Sequence, residues 1–242
     1  MKGFGPETFG ERYAEVYDDD LERADTDATA RFLRRLAGEG RALELAVGTG
    51  RVALALAATG VQVDGVEISP EMVAKLRAKH GGEQLSVTLG DFATVPVAGQ
   101  YSLVFVVFNT IFNLVSQDDQ VRCFCNVASH LADDGCFVIE AFVPDSRWLG
   151  QDQYLATEAT GIDEVVLETW RHDRVAQTLD KVHVRLRTDD VRLYPVVLRY
   201  SWPSELDLMA RLAGLRLKER WGGWCGEQFG PHSKNHVSVY GR

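Results

Sequence analysis

Short apolar segments alternate with helical segments along the first 142 residues, and this alternation limits the fold more than any other feature. The apolar segments are RALELAV, VQVDGVEI, QLSVTLG, SLVFVVF and GCFVIEAF. Helical periodicity falls at 8–20, 25–38, 51–59, 70–80 and 117–131. Strands that are apolar on both faces and are separated by helices are typical of a parallel sheet covered by helices on each side. We therefore predict five parallel strands by residue 142.

The pattern changes after Pro144. The segments DEVVLETWRHD, RVAQTLDKVHVRLRTD and VRLYPVVLRYSW alternate apolar and polar residues without an intervening helix, which predicts an antiparallel sheet with one wet face. A helix from about Ser204 to Gly214 follows, and the strands LRLKERW and HVSVYGR come last. The predicted fold is α/β, a doubly wound and mostly parallel seven-stranded sheet with an antiparallel sheet inserted after the fifth strand.

Charge and composition favour a small-molecule partner. The net charge is -9, and no cluster of Lys or Arg offers a surface for nucleic acid or anionic lipid. The longest apolar run, LVFVVF, is too short to span a membrane, and the first 20 residues hold no segment suited to a signal peptide, so we expect a cytoplasmic protein. The four cysteines read as packing residues, and we expect no metal.

Polar and aromatic residues follow four of the predicted parallel strands. Ligands of open parallel sheets bind at the carboxyl ends of the strands. Glycines there let the backbone approach a ligand, a carboxylate accepts from ribose hydroxyls or an exocyclic amine, and a phenyl ring covers an aromatic ring. The residues are Gly48 and Gly50 after the first strand, Glu67 after the second, Asp91 and Phe92 after the third, and Phe108 and Asn109 after the fourth.

The motifs ELAVGTGR, VEISPEM and GDF together resemble the class I S-adenosylmethionine-dependent methyltransferases. The order of elements is closest to bacterial small-molecule N- and O-methyltransferases, including those that act on aminosugars. The resemblance implies S-adenosylmethionine as methyl donor, S-adenosylhomocysteine as product, a small-molecule acceptor, and a monomer or homodimer. It also divides the chain into an N-terminal lid helix at 1–24, a donor-binding core at 25–145 and 201–242, and an inserted acceptor-side sheet at 146–200.

The resemblance assigns donor-binding roles by position. Glu44, Gly48 and Gly50 correspond to the methionyl end, and Ala46 stands where the family usually has a glycine, so we expect a slightly shifted loop. The remaining donor-binding residues are Glu67 and Ile68 at the ribose, Met72, Asp91 and Phe92 at the adenine, and Arg51, Phe108 and Asn109 beside them.

Four donor-side residues have a second interpretation. Glu44, an acid within an apolar strand, suits a ligand carrying ammonium and sulfonium groups, but it would also cap neighbouring amides. Tyr13 and Tyr17 lie one helical turn apart and would cover the sulfonium as a lid, or they would simply pack. Arg51 at the start of the glycine-loop helix would equally face solvent.

The acceptor side is predicted from the layout. We expect the acceptor pocket to be bordered by Trp221, Trp224, His232 and His236 on one side and by Phe112, Trp148, Trp170 and Tyr200 on the other. Most aromatic residues at such spacing belong to the core, so only a minority of these should touch the substrate. A hydroxyl acceptor requires a base, for which His236 is the first choice and His232 the second, unless both are structural.

Two other functions remain open at this point. GTGRVA also satisfies the relaxed dinucleotide fingerprint GxGxxA, which would suit an NAD(P)-dependent oxidoreductase. A chain that binds S-adenosylmethionine would also serve as a cyclase or a regulator without transferring a methyl group.

Overall fold

The computed structural model describes residues 1–20, 24–145 and 150–242 of the 242-residue chain. The helices are α1 Thr8–Tyr13, α2 Tyr17–Asp20, α3 Thr26–Ala37, α4 Arg51–Ala57, α5 Pro70–Arg77, α6 Gln117–His130 and α7 Pro203–Leu212. The strands are β1 Ala42–Leu45, β2 Val63–Glu67, β3 Ser86–Leu89, β4 Tyr101–Val106, β5 Leu131–Phe142, β6 Gln153–Thr160, β7 Glu164–Asp173, β8 Thr178–Arg187, β9 Val191–Arg199, β10 Arg216–Trp221 and β11 Asn235–Gly241. Within these residues, no helix combines the length and apolarity needed to cross a bilayer.

The larger sheet has seven strands in the order β10-β11-β5-β4-β1-β2-β3, which confirms the predicted fold class. Strands β1 to β5 pair in parallel, and β11 pairs antiparallel with β5 and β10. Alternate residues of β4 serve different cores: Leu103 and Phe105 join one apolar cluster, and Val104 and Val106 join the other. Both faces are therefore covered by packed helices, as the apolar strands predicted.

The smaller sheet has four antiparallel strands in the order β6-β7-β8-β9. The sequence predicts three of these strands, β7, β8 and β9, but not the first strand, β6. Its sequence, QYLATEAT, is mostly exposed and lacks the alternation that identifies a half-buried strand. An edge strand is held by backbone hydrogen bonds to one neighbour, here β7, so its side chains need not be apolar.

The predicted N-terminal helix at 8–20 is two helices, α1 and α2. Tyr13, at the end of α1, packs on Tyr194 of β9 with ring centroids 4.7 Å apart. Asp18 of α2 instead accepts a hydrogen bond of 2.6 Å from Thr49 in the loop after β1. The chain turns between these two contacts, so that α1 lies against the smaller sheet and α2 against the larger one.

Candidate functional site

A cavity of about 500 Å³ opens at the carboxyl ends of the parallel strands. One wall comes from the loops after β1, β2, β3 and β4, and the opposite wall comes from β8 and β9 of the smaller sheet. Helix α1 closes a third side, and Gly10 allows its close approach, since a Cβ there would lie 2.1 Å from Ser69 Oγ. The two sheets and the N-terminal segment therefore share one enclosed site.

Glu67, at the end of β2, is fixed by backbone amides. Its Oε2 accepts a hydrogen bond of 2.9 Å from Gly48, and its Oε1 accepts bonds of 3.0 and 2.9 Å from Ile68 and Ser69. Burial raises the pKa of the Glu67 carboxyl, and the three amides oppose that rise. The result is a fixed pair of acceptor oxygens at the cavity wall.

The glycine loop after β1 contains two left-handed residues in the cavity wall. Gly48 has φ of +57°, and Ala46 has φ of +54°. A side chain in this conformation is disfavoured by contact between Cβ and the following carbonyl. The loop after β1 therefore keeps its left-handed turn although residue 46 is alanine, and Ala46 is strained as a result.

Glu44 lies in the middle of the sheet, 3% exposed, behind the cavity wall. Within the described ranges its Oε2 has no hydrogen-bond partner. Burial raises the pKa of this carboxyl to about 8, with the charge of Arg51 opposing. A buried acceptor without a donor fits a ligand that brings a positive charge, such as an ammonium group.

Tyr17 lies between this acid and the cavity. Burial raises the pKa of its phenol to about 12; Arg51 opposes the rise, and Glu44 and Glu67 add to it. The phenol therefore stays protonated near neutral pH and is able to donate a hydrogen bond to a ligand.

The loop after β4 holds two further left-handed residues, Phe108 at φ +59° and Asn109 at φ +64°. Glu140 Oε2 accepts from the Phe108 amide at 2.8 Å, and Asn109 Oδ1 accepts from the Phe142 amide at 2.6 Å. Consecutive residues in a costly conformation persist only where neighbours hold them, which is common at ligand sites.

The structure brings most of the expected donor-binding residues into this cavity: Tyr13, Tyr17, Ala46, Gly48, Glu67, Ile68, Met72, Asp91, Phe92, Phe108 and Asn109 all line it. The other three lie outside the wall. Glu44 is behind it, Gly50 precedes α4 at φ +81°, and Arg51 bonds Thr26 of α3 at 2.9 Å.

The expected acceptor residues are not brought together. Trp221 and Trp224 lie beside α3, where Trp224 packs on Phe32 at 5.4 Å. Phe112 is fully buried, and Tyr200 is buried with its hydroxyl 3.1 Å from His172. Trp221, the last residue of β10, and Trp224, in the loop after it, face α3 instead of the cavity. Phe112 and Tyr200 are enclosed by packed neighbours.

Three expected acceptor residues lie elsewhere. Trp170 and His232 line a second cavity of about 990 Å³, which shares Lys181 and Leu198 with the first. Trp148 lies outside the described residues.

His236 does not reach either cavity. It is fully buried, with Nδ1 2.8 Å from Ser238 Oγ. Burial, reinforced by Arg220, lowers the pKa of the imidazole to about 3. The ring is thus neutral and enclosed, which does not suit the expected base.

Sequence reasoning missed Lys181 and His183, which line the main cavity from β8. The alternation in KVHVRLR was the available signal, because it places Lys181, His183 and Arg185 on one face of the strand. The sequence predicts that this face is in contact with solvent, whereas in the structure its residues Lys181 and His183 line the cavity.

Comparison with known proteins gives the family. A sequence model described as "Methyltransferase domain" matches residues 42–135. The solved structure of the CcbJ methyltransferase from Streptomyces caelestis is 39% identical, covers 98% of this chain and 99% of its own, and superposes with a TM-score of 0.91.

Two further relatives are more distant. The cypemycin N-terminal methyltransferase of a Streptomyces species is 26% identical over 201 residues, covering 83% of this chain and 82% of its own. The structure of SAM-bound CalS10, an amino pentose methyltransferase from Micromonospora echinaspora, is 20% identical over 94% of this chain and 95% of its own, with a TM-score of 0.69, and shares the fold. The chain belongs to the class I S-adenosylmethionine-dependent methyltransferases.

Proposed function

We propose that this protein transfers the methyl group of S-adenosylmethionine to a nitrogen of a small organic acceptor, with an oxygen as the alternative nucleophile. The observation that carries the proposal is the single cavity in which the loops of the larger sheet face the polar side of the smaller sheet. One side suits the donor, and the other is left for the acceptor.

The donor side offers a partner for each part of S-adenosylmethionine. Glu67 presents fixed oxygens to the ribose hydroxyls, and Asp91 and Phe92 border the adenine. Gly48 and Ala46 bring backbone to the methionyl part. Glu44 lies behind that wall, and its Oε2, which has no hydrogen-bond partner among the described residues, supplies negative charge to offset the positive charge of the donor.

The bound donor supplies an activated methyl group, so the chain must align the acceptor with it and exclude water. Phe9, Tyr13 and Tyr17 exclude water from the cavity. The Phe9 ring stacks on Tyr13 with centroids 4.6 Å apart and meets the edge of Tyr17 at 6.0 Å. We therefore propose residues 1–24 as a lid over the cavity. Aromatic faces also attract a cation.

Nitrogen is favoured over oxygen by the name of one relative, a peptide N-terminal methyltransferase. A neutral amine is nucleophilic enough to need no strong base, whereas a hydroxyl does need one. The aromatic and charged side of the second cavity suits a polar organic compound of some size.

Calorimetry with S-adenosylmethionine, S-adenosylhomocysteine and NAD(P) tests the donor assignment. We expect binding of the first two and none of the dinucleotides. The acceptor is then sought by incubating the protein and donor with panels of amines and hydroxy compounds, and by measuring S-adenosylhomocysteine and the mass of the methylated product. Binding without any methylated product would favour a cyclase or regulatory role.

We also propose a cytoplasmic enzyme of secondary metabolism that is a monomer or homodimer. The net charge of -9 supports the location, because an acidic surface has no attraction to anionic lipid. Cell fractionation and light scattering test these two points.

A further inference from the structure

The cavity-facing side of the smaller sheet carries a row of polar side chains. Glu168, His183 and Tyr194 are direct cross-strand partners on β7, β8 and β9, so all three point to one face. His183 and Lys181 line the main cavity. The Tyr194 hydroxyl is buried and, in the part of the chain that the structure describes, has no hydrogen-bond partner.

A carboxylate fixes the orientation of the His183 ring. Its Nδ1 lies 2.8 Å from Glu158 Oε2, and its Nε2 lies 3.9 Å from Glu168 Oε2. The register of β6 shifts between Thr157 and Ala159, and Glu158 is the residue at that shift. Because Nδ1 donates its proton to Glu158, the lone pair of the neutral ring lies on Nε2.

Charged side chains surround the ring. Glu158 and Glu168 contribute two carboxylates, and the ammonium of Lys181 pairs with Glu168. Arg185, the next residue on the same face of β8, lies 3.4 Å from Glu164, which it shares with Arg187. Glu158 therefore remains as the carboxylate that orients the His183 ring through Nδ1. Glu158, Glu168 and His183 bring one ligand atom each within 4.8 Å of one another, and one of the three, Glu168, is already paired with Lys181.

We propose that His183 is the proton acceptor for the acceptor nitrogen, and that Glu158 is its positioning residue; this rests on the proposed function. The acceptor enters as an ammonium ion and transfers one N–H proton to Nε2, which gives a neutral amine and an imidazolium. The nitrogen lone pair then forms the N–C bond as the C–S bond breaks, and that bond's electron pair stays on sulfur. His183 afterwards releases its proton to solvent.

The orientation is tested without an acceptor by long-range ¹H–¹⁵N NMR of the full-length protein at alkaline pH. We expect the Nδ1–H tautomer at His183, and a mixture of tautomers in Glu158→Gln. An Nε2–H tautomer in the unmodified protein would overturn the proposal, because Nε2 would then have no lone pair to offer.

The role is tested kinetically with the acceptor found in the panel experiment. His183→Ala is expected to lower kcat about 100-fold, the range seen for general bases, while calorimetry shows donor affinity within about twofold. Added imidazole should restore part of kcat, which a merely structural role would not allow. His80→Ala, at an exposed histidine outside the cavity, is the matched control and should keep full activity.

The experiments distinguish a failure of the proposed function from a failure of the role assigned to His183. If the unmodified protein methylates no acceptor, the proposed function fails. If it does methylate one and His183→Ala keeps its kcat, or loses it without rescue by imidazole, the role of His183 is wrong and the function stands.

Discussion

The two sheets of this protein differ in how their faces are covered. The larger sheet is apolar on both faces, and its helices bury almost every side chain of β1, β2 and β4. The smaller sheet has a polar face towards the cavity and leaves apolar residues in solvent on its other face, such as Leu193 at 55% exposed. Hydrophobic burial therefore stabilises mainly the larger sheet, and the smaller sheet carries the polar side chains at the cavity, such as Lys181 and His183.

The same division holds inside the cavity. The proposed donor side is built from backbone amides and left-handed loop residues, which depend on the positions of the strand ends. The proposed acceptor side is built from side chains that pair across strands, such as Lys181 with Glu168. A backbone site is difficult to change, whereas a side-chain site changes by substitution without altering the sheet.

The largest expected effect tests where the stability lies. Phe124 of α6 is fully buried between Phe137 and Tyr240, with centroids at 5.2 and 5.7 Å. Phe124→Ala should lower the free energy of unfolding by about 3 to 5 kcal/mol. The matched change Leu193→Ala on the smaller sheet should cost less than about 1 kcal/mol. Urea unfolding measures both, and equal losses would contradict the comparison.

The second prediction concerns Glu44. Its pKa is raised to about 8 in the folded protein, so the folded state binds more protons than the unfolded state between about pH 4.5 and 8. Stability without ligand should therefore fall as pH rises through this window. Glu44→Gln removes this dependence and should be more stable than the unmodified protein by on the order of 4 kcal/mol at pH 8, with little difference near pH 4.5. Urea unfolding of both proteins at pH 4.5 and pH 8 is the measurement. The same stability difference at the two pH values would contradict the prediction.

The third prediction concerns the donor side alone. Glu67→Gln keeps the size of the side chain but replaces one of the two acceptor oxygens with an amide donor that faces backbone N–H groups. Affinity for S-adenosylmethionine should fall by more than about tenfold, since hydrogen bonds to a charged group contribute about 1.5 to 3 kcal/mol. Calorimetry is the measurement, with the exposed Asp133→Asn as control. Unchanged affinity would exclude Glu67 from the ribose site.

The smallest expected effect tests the backbone strain. Ala46→Gly removes the contact that disfavours φ of +54°, but it adds freedom to the unfolded chain. The net change should be a gain of at most about 1 kcal/mol in unfolding free energy. Urea unfolding would show the gain, and a clear loss of stability would mean that the methyl group contributes packing.

Much of the donor half was predictable from local sequence. Glu67 and Asp91 each follow an apolar strand, and parallel strands bring their carboxyl ends to one edge of the sheet, so their side chains had to converge. The acceptor half was less predictable because its residues lie on strands whose inward face depends on how the smaller sheet docks. The alternation of β8 separates His183 from Val184, but it does not say which of the two faces a cavity.

The class of fold, the division between the two sheets and the acids at the strand ends can be read from the amino-acid sequence, because strand polarity and side-chain periodicity are local properties. Long-range packing places His236 in an enclosed position and His183 at the cavity, bends the N-terminal segment after Tyr13, and keeps Ala46 in a left-handed turn. Each of these depends on contacts between segments far apart in the chain, and such contacts leave no periodic signal in either segment.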